Sequence, residues 1–125
     1  MYNYVDKPEK TKEKVHYILN NFYKNTPDGL IGNEDCGQMS AWYVMSALGF
    51  YPVTPGIPSY QIGRPLFNKA VINLENGNKF EITTQNNNVK NKYIDHIELN
   101  NEIFRGTTLS HESIMKGGSL VFFMT

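Results

Sequence analysis

The run Gly32-Asn33-Glu34-Asp35-Cys36-Gly37-Gln38-Met39-Ser40-Ala41-Trp42-Tyr43 sets two adjacent carboxylates between glycines, directly ahead of a strongly apolar segment. A carboxylate presented to a cleft can take a proton from water or from a substrate hydroxyl. Glycine on either side lets the backbone turn and lets another molecule approach it closely. The stretch 39–50 is hydrophobic enough to be buried, so the polar residues would stand on a rigid support. The residues alone leave two readings open for Glu34 and Asp35: working acid–base groups, or caps that accept backbone N–H groups at a helix N-terminus. Gln38 and Trp42 offer an amide and an indole face to a sugar, although a tryptophan on a buried helix reads first as core. Cys36 has no neighbouring histidine or lysine to activate it and reads as an inert small residue. His16, His96 and His111 are too scattered to share a metal and read as surface positions.

The elements that must carry this loop follow from periodicity. Apolar residues at Val15, Ile18, Leu19, Phe22 and Tyr23 have three-four spacing, and Pro8 suits a first helical turn, with Asp6 as its cap. This predicts a helix over 8–24 whose lysine-rich start is a solvated face. Pro27-Asp28-Gly29 then supplies turn chemistry, and a second helix is expected over 37–49. Pro52, Pro55 and Pro58 make a stiff connector, after which the period changes to that of strands. Residues 70–74 and 79–83 flank Asn76-Gly77, a pair suited to a two-residue primed turn. Residues 93–99 and 102–105 flank Asn100-Asn101 as a second hairpin. Residues 110–116 are read as one helical turn, 86–88 as a polar loop tip, and 119–124 as a strand covered on both faces. The fold class is α+β: a helical segment over 1–52 carrying the acidic motif, then about six strands of antiparallel sheet or sandwich over 53–125.

Composition bounds the function. The chain has 125 residues, 40% of them hydrophobic and 13% aromatic, which is the size of one small domain with enough apolar mass for a core. Twelve basic and twelve acidic side chains cancel to a net charge of zero, which argues against nucleic acid and anionic membrane surfaces as partners and favours a neutral ligand. The single cysteine makes neither an internal disulfide nor a thiolate zinc site. No signal peptide opens this chain, and the apolar stretch 41–53 is too short to span a bilayer, so a soluble polypeptide of undetermined compartment is expected.

One feature resists a self-contained fold. Trp42, Tyr43, Val44, Met45, Leu48 and Phe50 point nearly all round the second helix, more than one partner helix can cover. A larger helical layer outside this chain is the simpler account, and self-association into a homo-dimer through that exposed helical face is expected.

The residues of 27–44, together with Ala47-Leu48-Gly49-Phe50-Tyr51-Pro52-Val53 and Tyr60-Gln61-Ile62-Gly63-Arg64-Pro65-Leu66-Phe67, closely resemble the C-terminal end of glycoside hydrolase family 92. The resemblance covers essentially the whole chain. It implies calcium-dependent, inverting exo-α-mannosidases, and a large enzyme with an N-terminal β-sandwich and a catalytic (α/α)₆ barrel. This chain then supplies the last barrel helices and a terminal β segment. It also implies mannose-containing glycans, α-1,2-linked ones among them, as substrates of the intact enzyme.

Inversion needs one carboxylic acid for the leaving oxygen and one carboxylate for the attacking water, roughly 6.5–9.5 Å apart. By resemblance, Asp35 matches the general base. The position two before it is often a second aspartate that holds the water, and here it is Asn33, an amide that orients water without taking its proton. Glu34 is then a supporting group and Gln38 a substrate-binding one. The family's general acid lies upstream and has no counterpart here, so the isolated chain is expected to be inactive. Calcium ligands also lie mostly upstream, with Asn33 and Glu34 offering oxygens of the type calcium prefers. The alternative from another class is a carbohydrate-binding or structural β-sandwich. An exposed coplanar row of Tyr60, Phe67, Phe80, Tyr93 and Phe104 would favour binding, and inward packing, which is expected, a structural module.

Overall fold

The computed structural model describes residues 2–125. After a 3₁₀ turn at Tyr2–Val5, helix α1 spans Pro8–Asn21 and helix α2 spans Gln38–Leu48. Eight strands and a short helix follow: β1 Phe50–Tyr51, β2 Ser59–Ile62, β3 Lys69–Asn73, β4 Lys79–Gln85, β5 Ile94–Leu99, β6 Glu102–Phe104, β7 Thr108–Ser110, α3 His111–Met115 and β8 Gly118–Met124. The α+β class and the order of two helices before a β segment are as the sequence predicts.

Local chemistry explains where each helix stops. α1 ends at Asn21 rather than 24 because Asn20 and Asn21 turn their side-chain amides back to the carbonyls of His16 and Tyr17, at 2.7 Å each. Asp6 does not cap it: Lys7 is the N-cap residue, no side chain closes the cap, and Asp6 lies in the left-handed region at φ 52°. α2 ends on Gly49, whose φ of 102° lets its N–H reach the carbonyls of Met45 and Ser46. α3 is capped by the Ser110 hydroxyl, which accepts from the Ser113 amide at 3.1 Å.

The strands form two sheets, ordered β1-β2-β7 and β3-β4-β8-β5-β6. All pairs are antiparallel except β4 with β8, where Ile82 faces Leu120 and Thr84 faces Phe122 in parallel. The last strand is thus inserted between two earlier hairpins, a non-local arrangement that periodicity cannot reveal. The continuous apolar run predicts burial on both faces of β8, and the strand departs from that. Leu120, Phe122 and Met124 point into the core, while Val121 and Phe123 are half-buried on the other side. β1, β2 and β7 raise the strand count above six; they are two to four residues long, too short for a period to register.

The two hairpins use different turns. Asn100 and Asn101 both adopt positive φ, 53° and 66°, as a two-residue primed turn requires. At Asn76-Gly77 only Gly77 is left-handed, and its N–H reaches back to Leu74, making a three-residue loop instead of a primed pair. Asn76 is tied instead to the Met115 carbonyl at 2.8 Å, which anchors the loop to α3.

One core joins the helical and β segments. Phe50, Ile62, Phe80, Ile82, Ile97, Leu109, Ile114, Leu120 and Phe122 form it, with Met45 and Leu48 of α2 packed against it. Gly49 lies where α2 meets this core, and a methyl there would stand 3.1 Å from Pro65 and 3.2 Å from Phe122. Tyr17, Ile31 and Val44 remain exposed on the helical side. No helix among the described residues is long and apolar enough to cross a membrane.

Gly49→Ala combines left-handed backbone with this crowding and is expected to lower the unfolding free energy by about 2 kcal/mol. Urea unfolding followed by far-UV circular dichroism checks it, and an unchanged midpoint would contradict the packing at this junction.

Candidate functional site

The acidic loop is delivered by a tight return at the end of α1. Tyr23 bridges Leu30 in antiparallel fashion, the Lys24 amide donates to the Gly29 carbonyl, and the Gly29 amide donates to Thr26, both at 2.9 Å. A Cβ on Gly29 would sit 2.0 Å from the Lys24 carbonyl oxygen, so no side chain fits there. The chain then passes through Asp35, Cys36 and Gly37 in consecutive left-handed conformations, at φ 55°, 56° and 88°. Such backbone costs on the order of 1–2 kcal/mol for each non-glycine residue. Asp35 and Cys36 therefore carry conformational strain, whereas the sequence places the turn on the flanking glycines alone.

The two carboxylates play different parts. Glu34, half-buried, accepts from the Ser40 amide and from the Ser40 hydroxyl, each at 2.9 Å. It therefore does the capping for the first turn of α2, where the helix dipole also favours negative charge. Asp35 is exposed, and among the described residues no hydrogen bond or ion pair reaches its carboxylate. Asn33 and Gln38 are exposed as well, Gln38 being the first residue of α2. Asn33, Asp35 and Gln38 are thus presented on one short solvent-facing stretch with Glu34 holding it from behind.

An aromatic wall stands beside the loop. Tyr23 stacks on Trp42 with ring centroids 5.7 Å apart and planes 13° from parallel, and it lies 4.9 Å from Tyr43. Trp42 in turn meets Tyr51 at 6.4 Å. Trp42 is half-buried in this wall and is not part of the central core, which corrects its assignment as a core residue. The Tyr23 hydroxyl donates to the Met39 carbonyl at 3.2 Å. Burial, together with the charges of Glu34 and Tyr51, holds the Tyr23 phenol above its ordinary pKa, so it stays a donor at neutral and mildly alkaline pH. Tyr23 is a site-supporting residue that periodicity hid, because it reads simply as the last apolar position of α1.

Elsewhere the residues behave differently from expectation. His16 is half-buried with its Nδ1 enclosed and unpartnered, so it is no surface residue, and Lys12, half-buried, leaves the solvated face assigned to the start of α1. Asn87 is not a loop tip but a latch, bonding the Leu66 carbonyl and the Asn68 side chain. In the β segment the expected inward packing holds for Phe80, which is buried, and for Tyr60 and Phe104, which pack against the core, whereas Phe67 and Tyr93 are exposed against that expectation. No three histidine, cysteine, aspartate or glutamate side chains among the described residues converge as a metal site. Asn33 and Glu34 offer three side-chain oxygens, both of the Glu34 ones already held by Ser40, against the six to eight oxygens calcium takes, so a calcium site at this loop would draw most of its ligands from elsewhere. A cleft of about 760 Å³ does exist, but between α1 and residues 87–94, away from the acidic loop.

Comparison with known proteins bears on this geometry. The profile of the glycosyl hydrolase family 92 catalytic domain matches residues 1–125. A protein of Arthroderma benhamiae described as an uncharacterized secreted glycosidase is 28% identical over 124 residues, covering 96% of this chain and 16% of that protein. The structure of the family GH92 α-mannosidase BT3965 from Bacteroides thetaiotaomicron superposes with a TM-score of 0.94 at 40% identity, over 99% of this chain and 17% of that one. The family GH92 inverting mannosidase BT2199 of the same bacterium gives 0.91 at 40% identity, over 98% of this chain and 17% of that one. The chain therefore spans about a sixth of the length of the relatives it matches.

The division of labour in the acidic loop predicts opposite stabilities for two substitutions. Glu34→Ala removes the cap and is expected to cost about 1 kcal/mol. Asp35→Asn breaks no contact and places a residue tolerant of left-handed backbone, so it should stay within about 0.5 kcal/mol of the parent. Thermal unfolding of both variants checks this, and a larger loss for Asp35→Asn would reverse the assignment.

Proposed function

The chain belongs to glycosyl hydrolase family 92, and we propose that it forms the C-terminal portion of a calcium-dependent, inverting exo-α-mannosidase acting on α-mannosides, α-1,2-linked ones among them. The observation that carries this reading is the state of Asp35, an unengaged carboxylate held outward on a strained loop whose neighbouring acid is already occupied. Strained left-handed residues persist where the surroundings over-determine them, and they cluster at functional sites.

In this reading Asp35 acts as the general base. It takes a proton from water as the water oxygen bonds to the anomeric carbon; the glycosidic C–O bond breaks, and its electron pair leaves on the departing oxygen. That oxygen receives its proton from a carboxylic acid on polypeptide outside this chain. Asn33 orients the water through its amide, Gln38 contacts the sugar, and Glu34 sets the direction of Asp35 through its hold on Ser40. Calcium, when bound in the intact enzyme, would supply Lewis acidity toward the substrate and would be held chiefly by residues outside this chain, with Asn33 and Glu34 as the oxygen donors present here. Exposed Tyr17, Ile31 and Val44 support a helical face that another part of the enzyme covers, or through which two isolated chains pair as a homo-dimer.

The isolated chain is expected to show no turnover of an activated aryl α-mannoside in the presence of calcium, since the acid and most of the substrate-binding wall are elsewhere. Turnover above the buffer rate would refute this. In the intact enzyme, Asp35→Asn should lower kcat by about 10²–10⁴ with little change in KM. Steady-state kinetics on the purified variant checks this, and near-parental kcat would remove Asp35 from the mechanism.

A further inference from the structure

Arg64 lies in the 60–67 stretch that carries part of the family resemblance, yet nothing described so far uses it. Only 7% of its surface is exposed. Its Nη1 donates to the Lys92 carbonyl at 3.3 Å and its Nη2 to the Asn91 carbonyl at 3.1 Å, while its Nε–H is enclosed without a partner. Among the described residues no carboxylate pairs with it. A guanidinium has five N–H donors, so two carbonyls leave it under-satisfied, and a buried cation without a counter-charge is costly.

Arg64 forms one wall of the cleft of about 760 Å³ between α1 and residues 87–94. Lys12, His16 and Lys92 line the same cleft. Burial lowers the pKa of Arg64, burial together with the Arg64 charge lowers that of His16, and burial lowers that of Lys12 against a partial offset from Glu9, so each is held as a cation less readily than in water. One negative charge in the cleft would relieve all three. Glu9 and Glu13 of α1 also border it and would repel a multiply charged anion more strongly than a single carboxylate. Val89 and Tyr93, 93% and 64% exposed, add an apolar shelf. The cleft thus offers the cationic half of an ionic contact beside a place for an apolar side chain.

We propose that this cleft docks a polypeptide segment from outside the chain that presents one aspartate or glutamate beside an apolar residue, its carboxylate compensating Arg64. The source of that segment rests on the reading given above, in which the rest of a family enzyme, about six times longer in the relatives, packs against this chain. The contact is structural and separate from Asp35, so either proposal can fail without the other.

The test is an NMR titration of the isotopically labelled chain with N-acetyl-Asp-Phe-amide, against N-acetyl-Asn-Phe-amide and inorganic phosphate. The aspartyl peptide should move the Arg64 Nε–H and His16 ring signals together, saturating in the millimolar range, and His16 should titrate at higher pH when the peptide is bound. The asparaginyl peptide should bind about tenfold more weakly, as expected for loss of a charge-assisted bond. Lys92→Glu, an exposed change that leaves Arg64 and its bonds in place, should weaken the aspartyl peptide by a similar factor without lowering Tm. Equal binding of the two peptides, signals unmoved at tens of millimolar, or phosphate matching the aspartyl peptide would overturn the proposal. So would shifts that follow the chain's own concentration without peptide, which would make the cleft a self-association surface.

Discussion

Both carboxylate oxygens of Glu34 are held by Ser40, one by its amide and one by its hydroxyl, and the shape of the acidic loop depends on that pair of bonds. Three successive left-handed residues would relax toward ordinary backbone if nothing opposed them. The opposing forces are local: the Glu34 clamp, the Met39 amide donating to the Glu34 carbonyl at 3.2 Å, and the Gln38 amide donating to Asp35 at 3.1 Å. Together they convert a flexible run between glycines into a fixed spur that carries Asp35 into solvent. The helix N-terminus gains its cap from one acid and leaves its neighbour unengaged.

The spur is only as rigid as α2, and α2 is fixed from below. Met45 and Leu48 pack on the core, Gly49 turns the chain beside Pro65 and Phe122, and Phe50 pairs with Ile62 at the start of the three-stranded sheet. Phe122 belongs to β8, which is itself held between β4 and β5. The final residues of the chain therefore brace the helix that presents Asp35. This links the β segment to the acidic loop mechanically, and Tyr51 of β1 also joins the aromatic wall beside that loop.

The surfaces left uncovered are of two kinds. On the helical side they are apolar and exposed, at Tyr17, Ile31 and Val44, and beside the loop stands the half-buried aromatic wall of Tyr23, Trp42, Tyr43 and Tyr51. Between α1 and residues 87–94 lies a charged cleft instead, with buried Arg64 in its wall and no carboxylate paired to it among the described residues. The chain matches 17% of the length of a solved α-mannosidase, and in the reading proposed above these are the faces against which the rest of such an enzyme packs.

What could be read from residue order alone was whatever short-range chemistry decides. The three-four spacing of α1, the glycine stop of α2, the Asn100-Asn101 turn and the Ser110 turn all lie within a few residues of their causes, and the acidic loop announced itself by composition. The dense match of 27–44 and 60–67 to family 92 carried the rest of the identification. Tertiary structure decided everything that depends on partners distant in the chain. It placed β8 in parallel beside β4, paired β2 with β7 nearly fifty residues apart, and buried His16 and Arg64 in a shared cleft. It also separated Glu34 from Asp35, two acids alike in sequence, because only the fold determines which of them Ser40 can reach.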